Sequence, residues 1–182
     1  PAAHLAWEFG AGIRSSFQPW VAVVVFKAAS VVGIHDPFLR MFLLRALTAL
    51  LAAMAIRRFV GFAMDPYPEP TKRIFILLAY GLWFIPFLSV RFSSEGWSAI
   101  FLLLMLTSAL SSAPTTHWAI HAGLWGGVAM LCRPPTGMIV LSLVGWMLAV
   151  RKDAWASVWS TLISSAIILS IGLLLDSAFY NG

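Results

Sequence analysis

Residues 74–110 read IFILLAYGLWFIPFLSV, then RFSSE, then GWSAIFLLLMLTSAL, which are two long apolar runs on either side of a charged, hydroxyl-rich pentad. The run 74–90 contains no Asp, Glu, Lys or Arg, and the stretch 96–132 contains none either. Apolar runs of this length are typical of membrane-spanning helices, because a backbone in lipid must satisfy its polar groups by its own hydrogen bonds. The pattern therefore predicts membrane helices before and after the pentad 91–95.

The composition places the whole chain in the same class. Hydrophobic residues make up 60% of the 182 residues, charged residues make up 10%, and the mean hydropathy is +0.88. A soluble domain carries about 25% charged residues. We therefore predict an all-α fold, a polytopic transmembrane helical bundle that occupies 1–182 as a single domain. The net charge of +5 lies mostly at the ends of apolar segments, so no nucleic-acid partner is expected.

Seven apolar stretches predict about six or seven helices between residues 19 and 175. Residues 1–18 are polar and aromatic and are predicted to form an outer-loop or interfacial segment. The first apolar stretch is short and contains Lys27, so it either crosses the membrane or lies in the outer interface. The seven stretches are 19–34, 38–56, 74–90, 97–113, 118–131, 137–150 and 154–175.

Basic residues predict the orientation of these helices. They cluster at 57–73 and at 151–152, and both connections should be cytoplasmic because Lys and Arg are enriched in cytoplasmic loops. Following the chain from there places a second group of polar residues on the outer face. That group comprises Arg91, Glu95, Arg133, Asp176 and Tyr180.

The pentad allows two interpretations. The planar guanidinium of Arg91 is suited to bind phosphate or carboxylate. Glu95 follows four residues later, so the two side chains can also pair with each other. In that second interpretation the pentad is a structural ion pair at a helix start, with Ser93 or Ser94 as the N-cap.

The other residues predicted on the outer face also allow two interpretations each. Arg133 precedes two prolines that break a helix, and it either lines a cavity or extends toward the membrane surface at a helix end. Asp176 and Tyr180 could hydrogen-bond a sugar or an acceptor. Alternatively they form a helix end with an aromatic anchor at the membrane interface.

The remaining motifs do not indicate a binding or catalytic site. His117 and His121 are spaced by one helical turn, but no Asp, Glu or Cys stands nearby to complete a metal site, so no metal is expected. Gly123 and Gly127 are spaced for close helix packing. The single cysteine, Cys132, is predicted to be a small packed hydrophobe. Nucleotide-binding and hydrolase signatures are absent from the sequence.

Several short motifs occur together in a recognisable order: Trp7-Glu8, Ile13-Arg14-Ser15, Gln18-Pro19, the pentad 91–95, Arg133-Pro134 and the segment 176–180. Over nearly the whole chain this order resembles the lipid-linked mannosyltransferases of the Alg9/PIG-B type, glycosyltransferase family 22, and their bacterial relatives in particular. The resemblance implies part of a GT-C glycosyltransferase membrane domain that passes several times through the plasma membrane.

The resemblance also implies a reaction. A sugar, typically mannose, passes from a polyprenyl-phosphate carrier to a glycan or glycolipid acceptor on the outer face, without a cofactor. The acidic first-loop motif that supplies the catalytic carboxylate would lie upstream of Pro1, so these 182 residues alone are expected to be inactive. Arg91 or Arg14 would contact the carrier phosphate, Glu8, Glu95 and Gln18 would orient the site, and Asp176 and Tyr180 would face the acceptor.

Two other classes of function fit the same pattern. In a transporter or lipid-carrier flippase the same charges would line a pathway, but the chain shows no inverted repeat of the kind common in transporters. In a structural subunit of a membrane complex the polar residues would pair across an interface.

Overall fold

The computed structural model describes residues 15–82, 84–110, 116–152 and 155–180. These residues are almost entirely helical, and no strand occurs among them, which confirms the predicted all-α fold. A 3₁₀ turn at Pro134–Thr136 precedes α7, and a wider π-helical turn at Met147–Arg151 follows it. The helices are α1 (Phe17–Val31), α2 (Pro37–Ala63), α3 (Glu69–Gly81), α4 (Phe84–Ser89), α5 (Ser94–Leu110), α6 (Thr116–Cys132), α7 (Gly137–Trp146) and α8 (Trp155–Tyr180).

Three helical segments among the described residues are long and apolar enough to cross a membrane. They are Pro37–Ala63, Pro134–Arg151 and Trp155–Tyr180. Large apolar side chains are exposed along them, for example Leu173 and Leu174 on α8. Exposed apolar surface of this extent is expected where lipid is the solvent, so the structure confirms an integral membrane protein.

The prediction of one continuous helix over 74–90 was wrong. The helix α3 ends at Gly81, and Leu82 has an extended backbone (φ −64°, ψ 116°) before α4 begins at Phe84. A proline at position 86 explains the break, because it has no amide hydrogen to donate to the carbonyl of residue 82. The segment that leads into the pentad is therefore a long helix followed by a short one.

The turn between α1 and α2 follows from its sequence. Gly33 has a positive φ of 82°, a conformation that glycine adopts without steric cost. Asp36 is the N-cap of α2, and its carboxylate accepts hydrogen bonds from the amides of Phe38 (3.4 Å) and Leu39 (3.2 Å). Pro37 occupies the first helical position, where no amide donor is needed.

Helix α1 runs antiparallel to the first part of α2. At its start, the Phe17 ring contacts the ring of Trp97 on α5, and Trp97 Nε1 donates a hydrogen bond to Thr48 Oγ1 of α2 at 2.9 Å. Near its end, Ser30 Oγ accepts from Arg40 Nη2 at 2.8 Å. The chain thus leads from the start of α5 toward the start of α2. Both ends of α1 therefore lie on the side of the bundle where α2 and α5 begin, which favours the interfacial alternative for the stretch 19–34.

The α1–α2 hairpin projects beyond the start of α5. At 1.5 Å per residue, α2 rises about 16 Å between Pro37 and Thr48, whereas α5 rises only about 5 Å between Ser94 and Trp97. The hairpin therefore extends about 11 Å beyond the first residue of α5. Its tip is apolar and exposed, with Val31 and Phe38 at 89% and 85% exposure.

Helix α6 lies at the centre of the bundle, between α5 and α8. It runs parallel to α8, because successive residues of α6 contact successive residues of α8. A Cβ added at Gly123 would lie 2.3 Å from the carbonyl oxygen of Thr161, and one at Gly127 would lie 2.8 Å from Cβ of Ile168. Ser165 Oγ also donates to the Gly123 carbonyl at 2.9 Å. The close packing predicted from Gly123 and Gly127 is confirmed.

Two clusters of buried apolar residues fill the bundle. One joins α5, α6, α7 and α8 around Met105 and Met147, and the other joins α2, α5 and α6 around Trp97 and Phe101. Cys132 belongs to the second cluster and is buried with a free thiol, as predicted for a packed hydrophobe. The second cluster lies directly beneath the polar end of α5.

Replacing Gly123 by alanine should destabilise the bundle, because the new methyl group would overlap the backbone of α8. We expect a loss of about 1–3 kcal/mol in the free energy of unfolding, measured by denaturation in detergent micelles. Gly145→Ala is the matched control, since nothing lies within 4 Å of the added carbon and alanine favours a helix. Equal stability of the two variants would contradict the close contact between α6 and α8.

Candidate functional site

An ion pair joins two helices at one end of the bundle. Glu95 Oε1 at the start of α5 lies 3.2 Å from Arg133 Nη1 just after α6, and Ser94 Oγ donates to Glu95 Oε2 at 3.2 Å. The sequence suggested a pair between Arg91 and Glu95, but the ion pair present in the structure uses Arg133. The extended backbone at Arg133, ahead of Pro134, turns its side chain out of the helix toward α5.

The start of α5 is capped within the pentad. Ser93 Oγ accepts a hydrogen bond from the amide of Gly96 at 3.2 Å, which makes Ser93 the N-cap that the sequence allowed. Arg91 lies at the surface, two residues before this cap. Its guanidinium has no hydrogen-bond or ion-pair partner within the described part of the chain.

Trp97 supports the pentad from below. Its side chain is only 3% exposed, and its ring makes edge contacts with those of Phe92 (5.2 Å), Phe101 (5.9 Å) and Phe17 (6.2 Å between ring centroids). The hydrogen bond from its Nε1 to Thr48 satisfies the buried indole N–H. Trp97 therefore fixes the pentad relative to both α1 and α2.

Asp176 closes the same end of the bundle from α8. Its Oδ1 accepts hydrogen bonds from the Ser16 amide (2.6 Å), the Ser16 hydroxyl (2.7 Å) and the Ser15 hydroxyl (3.2 Å). Ser16 is fully buried at this contact. Asp176 thus links the end of α8 to the residues that begin α1.

The first turn of α1 holds two buried donors without partners. Gln18 Nε2 and Trp20 Nε1 are both inaccessible to solvent and make no hydrogen bond to the described residues. The Trp20 ring packs edge-on against Phe179, which in turn contacts Tyr180 (ring centroids 6.0 and 5.4 Å apart). Unsatisfied buried donors are uncommon and costly, so this turn can accept a further polar partner.

These contacts bring most of the predicted site residues to one end of the bundle. Asp176 contacts Ser16, Phe17 contacts Trp97, and Trp97 packs beneath the pentad. Glu8 and Arg14, which the sequence also placed in the site, lie outside the described residues. The gathered residues are Gln18, Arg91, Glu95, Arg133, Asp176 and Tyr180.

The histidine pair lies at the opposite end. His117 and His121 are exposed near the start of α6, whereas Arg133 follows its end. Within the described ranges, no three His, Cys, Asp or Glu side chains are grouped as metal ligands would be.

The sequence did not single out Ser16 or Trp97 as site residues. Both stand directly beside predicted residues, Ser16 beside Ser15 and Trp97 two positions after Glu95. A serine before an apolar helix is a common N-cap signal, and a tryptophan after a charged turn is a common buried anchor. Neither signal identifies its partner, because the partners lie far away in sequence.

The fold and the polar end define a helical integral membrane protein that gathers charged groups at one end. The sequence model of the Alg9-like mannosyltransferase family matches residues 1–182, so the chain belongs to that family. It is similar to GPI mannosyltransferase 3 of Yarrowia lipolytica, with 22% identity over 182 residues. The match covers 98% of this chain and 35% of that relative, so the chain spans about a third of the relative's length. No solved structure matches the chain.

The ion pair should contribute little to stability. Its side chains are 49% (Arg133) and 61% (Glu95) exposed, and solvent screens pairs of this kind. We expect Arg133→Gln and Glu95→Gln each to lower the free energy of unfolding by less than about 1 kcal/mol.

Trp97→Ala is the comparison for this prediction. It removes a buried ring and should cost about 3–5 kcal/mol in the same detergent denaturation. A large loss of stability in either ion-pair variant would show that the pair has a structural role.

Proposed function

We propose that the chain is part of a mannosyltransferase that transfers a mannosyl residue from a polyprenyl-phosphate carrier to a hydroxyl of a glycan or glycolipid acceptor. Membership of the Alg9-like family supports the transfer of mannose. The observation that carries the choice of donor is the exposed guanidinium of Arg91, which has no partner among the described residues. A planar, permanently charged group of this kind is suited to a phosphate monoester or diester.

The proposed reaction is a substitution at the anomeric carbon. The acceptor hydroxyl forms a new bond to that carbon while the bond to the phosphate oxygen breaks, and the configuration inverts. The carrier phosphate leaves with the bonding electrons, and a carboxylate base takes the hydroxyl proton. Arginine stabilises the charge that develops on the leaving phosphate.

We assign the remaining roles by position. Glu95 is held by Arg133 and Ser94 at the edge of the site, which suits an orienting role. The unpaired amide donor of Gln18 can reach a ligand or a neighbouring chain segment only if the first turn of α1 adjusts, since it is now inaccessible. The proposed phosphate contacts are Arg91 and Arg14, the orienting residues are Glu8, Glu95 and Gln18, and the acceptor-side residue is Tyr180.

The transfer is proposed to occur on the outer face of a plasma membrane, such as the bacterial inner membrane, which the complete protein crosses several times. Charge distribution supports this orientation. Arg151 stacks on Trp118 at 4.3 Å and donates to the Ala109 carbonyl, which places the basic connection 151–152 at the end opposite Glu95. Basic connections favour the cytoplasmic side.

A transporter or flippase was the alternative function. Membership of a mannosyltransferase family favours sugar transfer over transport. The same family membership argues against a purely structural subunit.

Arg91→Ala in the complete protein should lower kcat/KM for a polyprenyl-phosphate mannose donor by about ten- to a hundred-fold. The reason is the loss of charged hydrogen bonds worth about 1.5–3 kcal/mol. Arg91→Lys keeps the charge but loses the bidentate fork, so an intermediate loss is expected. The measurement is transfer of radiolabelled mannose in reconstituted vesicles.

Arg58→Ala is the matched control, because Arg58 is an exposed arginine near the opposite end of α2. It should leave transfer unchanged, and both variants should insert in the membrane to the level of the unmodified protein. Unchanged transfer by Arg91→Ala would remove the phosphate role from this residue.

A further inference from the structure

We infer that Asp176 is a positioning residue, which holds the beginning of α1 against the end of α8 and so places the segment that carries Arg14 and Gln18. The inference rests on the proposed function only for its catalytic consequence, since the contact itself is structural. It changes the role that the sequence suggested for Asp176, which was a contact with the acceptor.

The geometry supports positioning because Asp176 Oδ1 is already engaged by three donors. The Ser16 amide, the Ser16 hydroxyl and the Ser15 hydroxyl all converge on this one oxygen, at 2.6, 2.7 and 3.2 Å. Ser16 is fully buried, so solvent does not reach its amide and hydroxyl in the folded protein. A carboxylate engaged in this way is poorly placed to bind an acceptor through the same oxygen.

The local capping of helix α1 is limited to one contact, in which Ser15 Oγ accepts a hydrogen bond from the Phe17 amide at 3.3 Å. Ser16, at its N-cap position, makes no side-chain capping bond within the helix, and the first turn contains no acidic residue. Helix N-termini carry unsatisfied amides and a partial positive charge, which favour a nearby carboxylate. Asp176 supplies that carboxylate from a helix 160 residues further along the chain.

The contact restricts where the preceding residues can lie. Arg14 directly precedes Ser15, and consecutive Cα atoms are about 3.8 Å apart. Gln18 follows in the first turn of α1, with its buried amide donor. Fixing α1 at Asp176 thus limits the positions of two residues assigned to the site.

The first test measures the anchor without activity. Spin labels are attached to cysteines at positions 19 and 173, which are exposed on α1 and α8, in the complete protein. Pulsed dipolar spectroscopy should give one narrow distance distribution in the parent protein and a clearly broader one after Asp176→Ala. Asp176→Asn keeps an acceptor oxygen, so it should retain most of the narrow distribution. An unchanged distribution in Asp176→Ala would overturn the inference.

Ser165→Ala is the matched control for this measurement. It removes another hydrogen bond of α8, the one to the Gly123 carbonyl, at a distance from the start of α1. It should leave the distribution between positions 19 and 173 narrow. Equal broadening in Ser165→Ala and Asp176→Ala would mean that α8 loosens as a whole, and would also overturn the inference.

The second test links the anchor to catalysis. Asp176→Ala should raise KM for the polyprenyl-phosphate donor by about tenfold or more, with a smaller change in kcat, if Arg14 is displaced from the phosphate. The effect of Arg14→Ala should then shrink at least threefold in the Asp176→Ala background. Independent effects of the two substitutions would overturn the link.

Two outcomes separate this inference from the proposed function. If the parent protein transfers no mannose from any lipid phosphate, the proposed function fails while the spin-label result still decides whether Asp176 anchors α1. If Asp176→Ala raises KM for the acceptor alone and leaves the distance distribution unchanged, Asp176 contacts the acceptor and the inference is wrong.

Discussion

The close contact between α6 and α8 is the constraint on which the rest of the structure depends. In lipid, helices gain little by covering apolar side chains, because acyl chains are equally apolar. Association then requires backbones to approach closely, and Gly123 and Gly127 allow this approach against Thr161 and Ile168. The contact fixes the position of α8 along the axis of α6. It therefore determines how far Arg133, at the end of α6, lies from Asp176 near the end of α8.

At the polar end of the bundle, the charged side chains differ in whether they already have a protein partner, and so they differ in their ability to bind a ligand. Arg133 neutralises Glu95, and Asp176 is engaged by two serines, so both already have protein partners. Arg91 extends from a capped turn above the buried ring of Trp97 and has no such partner in the described part of the chain. A rigid support beneath an exposed cation favours anion binding, because little order is lost when the ligand arrives.

Much of the fold could be predicted from the sequence, since length and hydropathy specify helices in lipid directly. Most helix boundaries fall within a few residues of the predicted stretches, and the glycine spacing on α6 correctly indicated a packing face. The break at Leu82 was missed because Pro86 was read as part of an apolar run. The partners of Glu95 and Asp176 could not be predicted. Helix packing brings together Glu95 and Arg133, which are 38 residues apart in sequence, and Asp176 and Ser16, which are 160 apart. A charge pattern in the sequence identifies only neighbours one or two helical turns away.

The parallel course of α6 and α8 has a consequence for how the protein is made. Two parallel helices cannot be neighbours in a simple hairpin, so α7 must carry the chain back before α8 exists. Gly123 and its partner Ser165 are 42 residues apart, which corresponds to roughly two to eight seconds of synthesis. During that interval α6 is inserted with its glycine face uncovered. A substitution that enlarges Gly123 or Gly127 therefore acts on the later docking of α8 against α6, and not on the formation of α6 itself.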